Sequence, residues 1–243
     1  FNASANTLRL DIGGVQWITS YAMTPSVWTH LAVVRVGSAV TLYANGVSVA
    51  TTTNSSSVDA SNLRVGVDKD TGAYYTGYIS NLRLVNGTAV YTTNFTPATT
   101  PLTAIANTSL LTCQSATLTD NSVNQFAITA TGDTKPRQQN PFGFTTSATQ
   151  DYSTATFGAS VYLDGTGEFL TVPNTTATAL GTGDFTIDFW FNMNSGTATN
   201  TRMHALNIGS GNSTNISFDF NDSGFTTAMD YYPYYKLKKR CRR

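Results

Sequence analysis

Asn45-Gly46 stands between two short runs that alternate in polarity, Val40-Thr41-Leu42-Tyr43-Ala44 and Val47-Ser48-Val49-Ala50. This arrangement predicts a β-hairpin, because a type I′ turn needs φ > 0 at both central residues and Asn-Gly meets that need at least cost. The same period-two pattern recurs along the chain between turn residues. It predicts strands over Leu8 to Ile12, His30 to Val36, Asn62 to Val67, Gly77 to Val85, Ser109 to Gln114, Gln125 to Ala130, Ser160 to Leu163, Phe169 to Val172, Thr186 to Asn192 and Ile216 to Phe220, with a further strand through Trp17. Long amphipathic helical windows are missing. Only 12% of the 243 residues are charged and 40% are hydrophobic, which suits half-buried pleated strands and leaves enough apolar surface for a core. The chain is therefore expected to be all-β, either one large sandwich or two small ones.

Charge narrows the functional classes. The formal net charge is zero, but six of the 14 basic side chains lie in Lys236 to Arg243, leaving 8 basic against 14 acidic residues and a body of about −6. A mildly acidic sandwich is a poor ligand for phosphate backbones, so nucleic-acid binding by the sandwich is not expected. No apolar run is long enough to span a membrane, and no leader pattern opens the chain, which begins at Phe1 and reads as an excerpt from a longer polypeptide. Cys113 and Cys241 are too far apart and too few for a disulfide framework or a metal cluster; Cys113, within Leu110-Leu111-Thr112-Cys113, reads as a small buried hydrophobe.

Several segments resemble the laminin-G-like jelly roll of the concanavalin A-like lectin/glucanase superfamily. Trp28-Thr29-His30-Leu31-Ala32-Val33-Val34-Arg35, Leu42-Tyr43-Ala44-Asn45-Gly46 and Gly77-Tyr78-Ile79-Ser80-Asn81-Leu82-Arg83 look like the second half of such a repeat. Val161-Tyr162-Leu163-Asp164-Gly165-Thr166-Gly167-Glu168-Phe169-Leu170 and Gly183-Asp184-Phe185-Thr186-Ile187-Asp188-Phe189-Trp190 look like the first half. The resemblance implies a two-sheet antiparallel jelly-roll sandwich, and the style of Val85 to Tyr91 is similar to repeats in tailed-phage and other virion or surface proteins. The halves arrive in reverse order: residues 1–100 match the C-terminal half of one repeat, 101–106 form a connector, and 107–225 match the N-terminal half of the next. Leu8 to Ile12 resembles Ile216 to Phe220 at an offset of 208 (219 − 11), Asp11 against Asp219. Residues 1–225 are thus expected to fold as one circularly permuted sandwich, the alternative being two half-domains. Two equivalent strands competing for one slot should leave one copy at an edge. Residues 226–243 are expected to form a basic tail outside the sandwich.

The candidate chemistry is sparse. A glycosidase needs two carboxylates flanking the scissile bond, yet Glu168 is the single glutamate and no strand carries acids at alternating positions, so the chain is not expected to be an enzyme. His30 and His204 have no Cys, Ser-Gly elbow or acidic partner nearby in sequence. Asp68 and Asp70, in Asp68-Lys69-Asp70-Thr71-Gly72, are spaced as calcium ligands or as an ordinary turn. Tyr74, Tyr75 and Trp17 are candidate sugar-stacking aromatics. Phe185, Ile187, Phe189 and Phe191 share one strand face and read as core, with Trp190 opposite.

Together with the resemblance, these readings point to a noncatalytic carbohydrate- or receptor-binding, or structural, module of a phage virion or tail fibre. The rivals are a bacterial cell-surface adhesin repeat and an accessory domain of a carbohydrate-active enzyme. The expected partners are glycans or cell-surface polysaccharides and neighbouring repeats or fibre subunits, with localisation on a virion or cell surface.

Overall fold

The computed structural model describes residues 7–59, 61, 63–70, 72–143, 153–194, 202–210 and 215–221. The basic tail at 226–243 lies outside the described residues. Among the described residues the chain forms strands β1 (Thr7–Ile12), β2 (Val15–Ala22), β3 (Thr29–Val36), β4 (Ala39–Ala44), β5 (Val47–Thr53), β6 (Leu63–Val65), β7 (Thr76–Asn86), β8 (Thr108–Thr112), β9 (Thr129–Thr131), β10 (Lys135–Arg137), β11 (Ser160–Asp164), β12 (Phe169–Val172), β13 (Phe185–Met193), β14 (Arg202–Ile208) and β15 (Ile216–Asn221). A single helical turn, α1 (Thr154–Phe157), precedes β11.

Two antiparallel sheets pack as a sandwich. The first runs β2-β1-β15-β14-β6-β12-β9; the second runs β10-β11-β7-β13-β3-β4-β5, with β8 on β7. Strands from early and late in the chain alternate within each sheet, so both faces of the core draw on both parts of the sequence. The expected hairpin forms: β4 and β5 pair across Asn45 and Gly46, whose φ values are 48° and 78°. A Cβ at Gly46 would lie 1.9 Å from the Phe95 carbonyl oxygen, so this position has neither the conformational nor the steric room for a side chain.

The core follows from alternation. In β13, Phe185, Ile187, Phe189 and Phe191 all face inward, each at most 1% exposed. Phe189 meets Phe218 of the first sheet edge to face at 5.2 Å, and Phe191 stacks on Phe220 at 4.7 Å. Burial of one such ring contributes roughly 1.5–3 kcal/mol, and these cross-sheet pairs register the two layers. Cys113 is buried in the same core, as expected.

The relation between the two similar strands differs from the expectation. β1 and β15 do not compete for one slot; they pair antiparallel, Leu8 opposite Phe220 and Ile12 opposite Ile216, and both lie inside the first sheet. Their shared alternation has a simpler cause, since both must present apolar side chains to the same core and polar ones to the same outer face.

Arg35 ties the loops at one end. It is fully buried, its guanidinium lies over the Phe185 ring at 4.7 Å, and it donates to the carbonyls of Gly183, Ser56 and Gly181 at 2.7, 2.8 and 2.6 Å.

The outer face of the second sheet is divided in two. After β7 the chain turns at Gly87 and residues 88–97 cross the outer face as a strap. Val90 N–H donates to Thr186 Oγ1 at 2.8 Å, and Phe95 N–H donates to the Gly46 carbonyl at 2.9 Å. Ala89, Tyr91 and Phe95 pack on Ala32, Val34 and Tyr43, so this half of the face is dry. The other half carries partly exposed aromatic side chains. No helix among the described residues is long and apolar enough to cross a membrane.

Candidate functional site

Beyond the strap, three aromatic side chains line the outer face of the second sheet. Tyr162 of β11 stands directly opposite Tyr78 of β7, and Tyr78 stands opposite Asn192 of β13. Period-two alternation sends all three outward, because their neighbours Val161, Leu163, Ile79 and Phe191 are core. The Tyr78 and Tyr162 rings lie 4.8 Å apart, and Trp28, just before β3, closes the row 6.3 Å from Tyr78. All three aromatics are partly exposed. Polar groups border them: Asn194 Nδ2 donates to Tyr162 Oη at 3.3 Å, and Lys135 of β10 pairs with Tyr162. Burial pushes the Tyr78 phenol above its ordinary range, with Tyr162 adding to that and Arg137 opposing it, which puts the exposed Arg137 within electrostatic reach of the shelf. Arg137 also lines a depression of about 340 Å³ with Pro136, Gln138, Ala116, Thr154 and Ala159.

A buried charged cluster forms the wall between shelf and strap. Arg83 grips Asp188 with two hydrogen bonds, Nε to Oδ1 at 3.0 Å and Nη2 to Oδ2 at 2.8 Å. Tyr91 of the strap donates its hydroxyl to Asp188 Oδ2 at 2.9 Å and accepts from Arg83 Nη2 at 2.9 Å. His30 completes the cluster, its Nε2 lying 3.7 Å from Asp188 Oδ2 and its ring packed between Trp190, Tyr91 and Phe95. Burial alone would raise the Asp188 carboxyl, but His30 and Arg83 outweigh it and hold the group below the usual carboxylate range. This partner of His30 was not legible in the sequence, because Asp188 lies 158 residues away (188 − 30). His204 likewise meets a distant acid, Asp219, across the β14–β15 pair.

At the β11 end of the shelf a turn gathers carboxylates. Asp164 follows Tyr162 by two residues on the same face, about 7 Å along the strand, and opens the turn to β12. Oxygens of Asp164, Glu168 and Asp133 lie within 4.8 Å of one another. Glu168 is buried, and its Oε2 accepts the N–H groups of Asp164 and Thr166, each at 3.3 Å. Burial, then the neighbouring Asp164, pushes the Glu168 carboxyl up, whereas hydrogen bonds from Glu168 and Thr166 hold Asp164 down. Three convergent carboxylates are hard oxygen donors of the type a divalent cation takes, so the residues present fit Ca²⁺ in donor chemistry.

The residues singled out from the sequence sit elsewhere. Tyr75 is a correction: it is fully buried and packs against Phe220 at 5.5 Å, so its ring has no face to offer a sugar. Tyr74 is half-buried at an isolated bridge to His204 on the first sheet, away from the shelf. Trp17 stands opposite Leu10 in the β1–β2 pair, and its side chain lies outside the described residues. Asp68 caps its own loop, Oδ1 accepting the N–H groups of Gly72 and Ala73 at 2.8 and 3.3 Å, while Asp70 pairs with Lys69 at 2.7 Å. These are the contacts of the ordinary-turn reading, and neither acid belongs to the convergent carboxylate group. The shelf residues lie within the family-like segments, but their convergence needs the β7–β11 pairing, which joins residues about eighty positions apart.

Two antiparallel sheets face to face, with a partly exposed aromatic row on one outer face, define an antiparallel β-sandwich of the jelly-roll class. Residues 2–92, which carry β1 to β7 and the first half of the strap, match a laminin-G family model described as the concanavalin A-like lectin/glucanases superfamily. The superfamily resemblance read from the sequence is thereby borne out. No curated protein and no solved structure gives a match to the chain.

Proposed function

We propose that the protein is a noncatalytic glycan-binding module of a virion or cell-surface fibre, and that it holds sugar rings on the Trp28–Tyr78–Tyr162 shelf. The observation that carries this reading is the shelf itself: three partly exposed aromatic rings in one row, with the partly exposed side-chain amide of Asn194 beside them. A pyranose offers an apolar face of C–H groups and an equatorial rim of hydroxyls. Aromatic rings take the face and amides take the rim. Asp133, Asp164 and Glu168 would hold Ca²⁺ at the end of this row, where it would supply charge for sugar hydroxyls or simply fix the turn.

The arrangement of Glu168 favours binding over turnover. Its carboxylate is folded into its own turn by two backbone N–H groups and is not presented to the shelf. Within the binding reading, residues 1–225 act as one permuted repeat of a longer array; an adhesin repeat or an accessory domain of a carbohydrate-active enzyme would use the same shelf.

Screening against immobilised polysaccharides tests the proposal. The wild type should bind at least one glycan class without releasing reducing ends, and Tyr78→Ala should weaken that binding by tenfold or more. Binding unaffected by Tyr78→Ala would remove the shelf, and hydrolysis abolished by Glu168→Gln would replace binding with catalysis.

A further inference from the structure

A β-sandwich has open edges, and an open edge is a row of unpaired N–H and C=O groups ready to accept another strand. In this protein the edges are guarded unequally. On one flank, β10 is three residues long and consists of Lys135, Pro136 and Arg137, a sequence that repels and cannot donate fully to a new partner. Its counterpart in the first sheet, β9, is also only three residues long. The free side of β8 is closed by side chains: Asp120 Oδ1 accepts the Leu111 N–H at 3.0 Å, and Ser122 and Asn124 donate to the Ser109 carbonyl at 3.2 and 2.8 Å.

The opposite flank is guarded far less. It is formed by β5 of the second sheet, seven residues reading VSVATTT, and β2 of the first, eight residues reading VQWITSYA, and the two strands lie against each other. Neither contains a charge or a proline. Only the start of β5 is covered, where Asn94 Oδ1 accepts the Ser48 N–H at 2.9 Å. The register irregularity against β4 is confined to that end, and Ala50 to Thr53 pair regularly with Leu42 to Ala39.

We propose that this flank is a homotypic interface, on which a second copy of the chain adds its β5 antiparallel to the first about a two-fold axis at Thr51. The sequence is self-complementary in that register. Thr51 meets Thr51 of the second copy and Ala50 meets Thr52, so small and β-branched residues face one another and no charge opposes the approach; Val49, at the irregularity, packs on the core. Size sets the strength. A seven-residue strand is ~24 Å long, and across two sheets ~10 Å apart with their side chains the flank offers ~600 Å² per partner, at the lower end for specific association. The dimer should therefore be transient, with Kd on the order of 10 µM. A fibre built from many such modules multiplies so weak a contact by proximity.

Sedimentation equilibrium of the full chain tests the proposal, with Thr51→Lys as the probe and Thr129→Lys, on the guarded opposite flank, as the control. Both positions are exposed, so the fold should persist, which circular dichroism checks. Wild type and Thr129→Lys should both show the monomer–dimer equilibrium. Thr51→Lys, which places like charges directly opposite each other at the axis, should raise Kd by tenfold or more. A wild type that stays monomeric well above the expected Kd, or a dimer that Thr51→Lys leaves intact, would overturn the assignment.

Discussion

Asp188→Ala should be among the most damaging single substitutions outside the apolar core. The carboxylate is 0% exposed and accepts three hydrogen bonds, two from Arg83 and one from Tyr91. Its removal leaves Arg83, 5% exposed, as a buried cation without its partner. Breaking such a pair costs about 3–5 kcal/mol, and in a chain of this size each kcal/mol lowers Tm by roughly 2–4 °C, so a fall of roughly 6–20 °C is expected. The double variant Arg83→Met/Asp188→Leu removes both charges together and should recover most of that loss. Acid sensitivity supplies an independent readout. Because Asp188 is held below its ordinary value, its contribution is complete above the unfolded-state pKa of about 3.9 and is lost as pH falls through the lower folded value. The wild type should lose this increment of stability on acidification below pH ~4, and Asp188→Ala should lack it. Urea denaturation of the three proteins across pH measures both effects. An Asp188→Ala variant within ~1 kcal/mol of wild type, or a double variant as unstable as the single, would refute the reasoning.

Other positions give separate outcomes. Gly77→Ala places a Cβ 2.2 Å from the Asn192 carbonyl oxygen at φ 143°, so it should push β7 from β13, lower stability by ~1–3 kcal/mol and weaken ligand binding beside Tyr78; calorimetry checks both. Arg35→Met removes three hydrogen bonds to loop carbonyls, at ~0.5–1.5 kcal/mol for each, and thermal unfolding should show a clear destabilisation without change in secondary structure. Burial pushes the Cys113 thiol up to about 12, so in a Cys241→Ser background it should resist thiol reagents at pH 8 until the protein is unfolded.

Much of the architecture was legible because it rests on local rules. Asn45-Gly46 sets a hairpin whatever surrounds it, and the alternation of Phe185 to Phe191 assigns core and surface by period two alone. β10 and β14 were not legible. Lys135-Pro136-Arg137 has no strand character and is strand only because β11 offers an edge, and Arg202 to Ile208 mixes polar and apolar residues across an irregular pairing with β15. The site divided in the same way. The aromatic content of the Tyr74 to Tyr78 region drew notice, but nothing local separates Tyr75, which turns into the core, from Tyr78, which turns out to meet Tyr162. The acids behave alike: Asp68 and Asp70 are two positions apart and serve their own loop, whereas Asp133 joins Asp164 and Glu168 only through the neighbouring turns of β9–β10 and β11–β12.

The central claim is that sugar rings lie on Trp28, Tyr78 and Tyr162. Saturation-transfer difference NMR with a bound oligosaccharide tests it most directly, because saturation passes from the protein most strongly to the sugar protons that lie against it, and the shelf variants show whether those contacts are the rings. Strong transfer to the C–H face of the sugar is expected in the wild type, with loss of that signal in Tyr78→Ala/Tyr162→Ala while the fold is retained. Equal transfer in the double variant would contradict the account and place the sugar on a different surface.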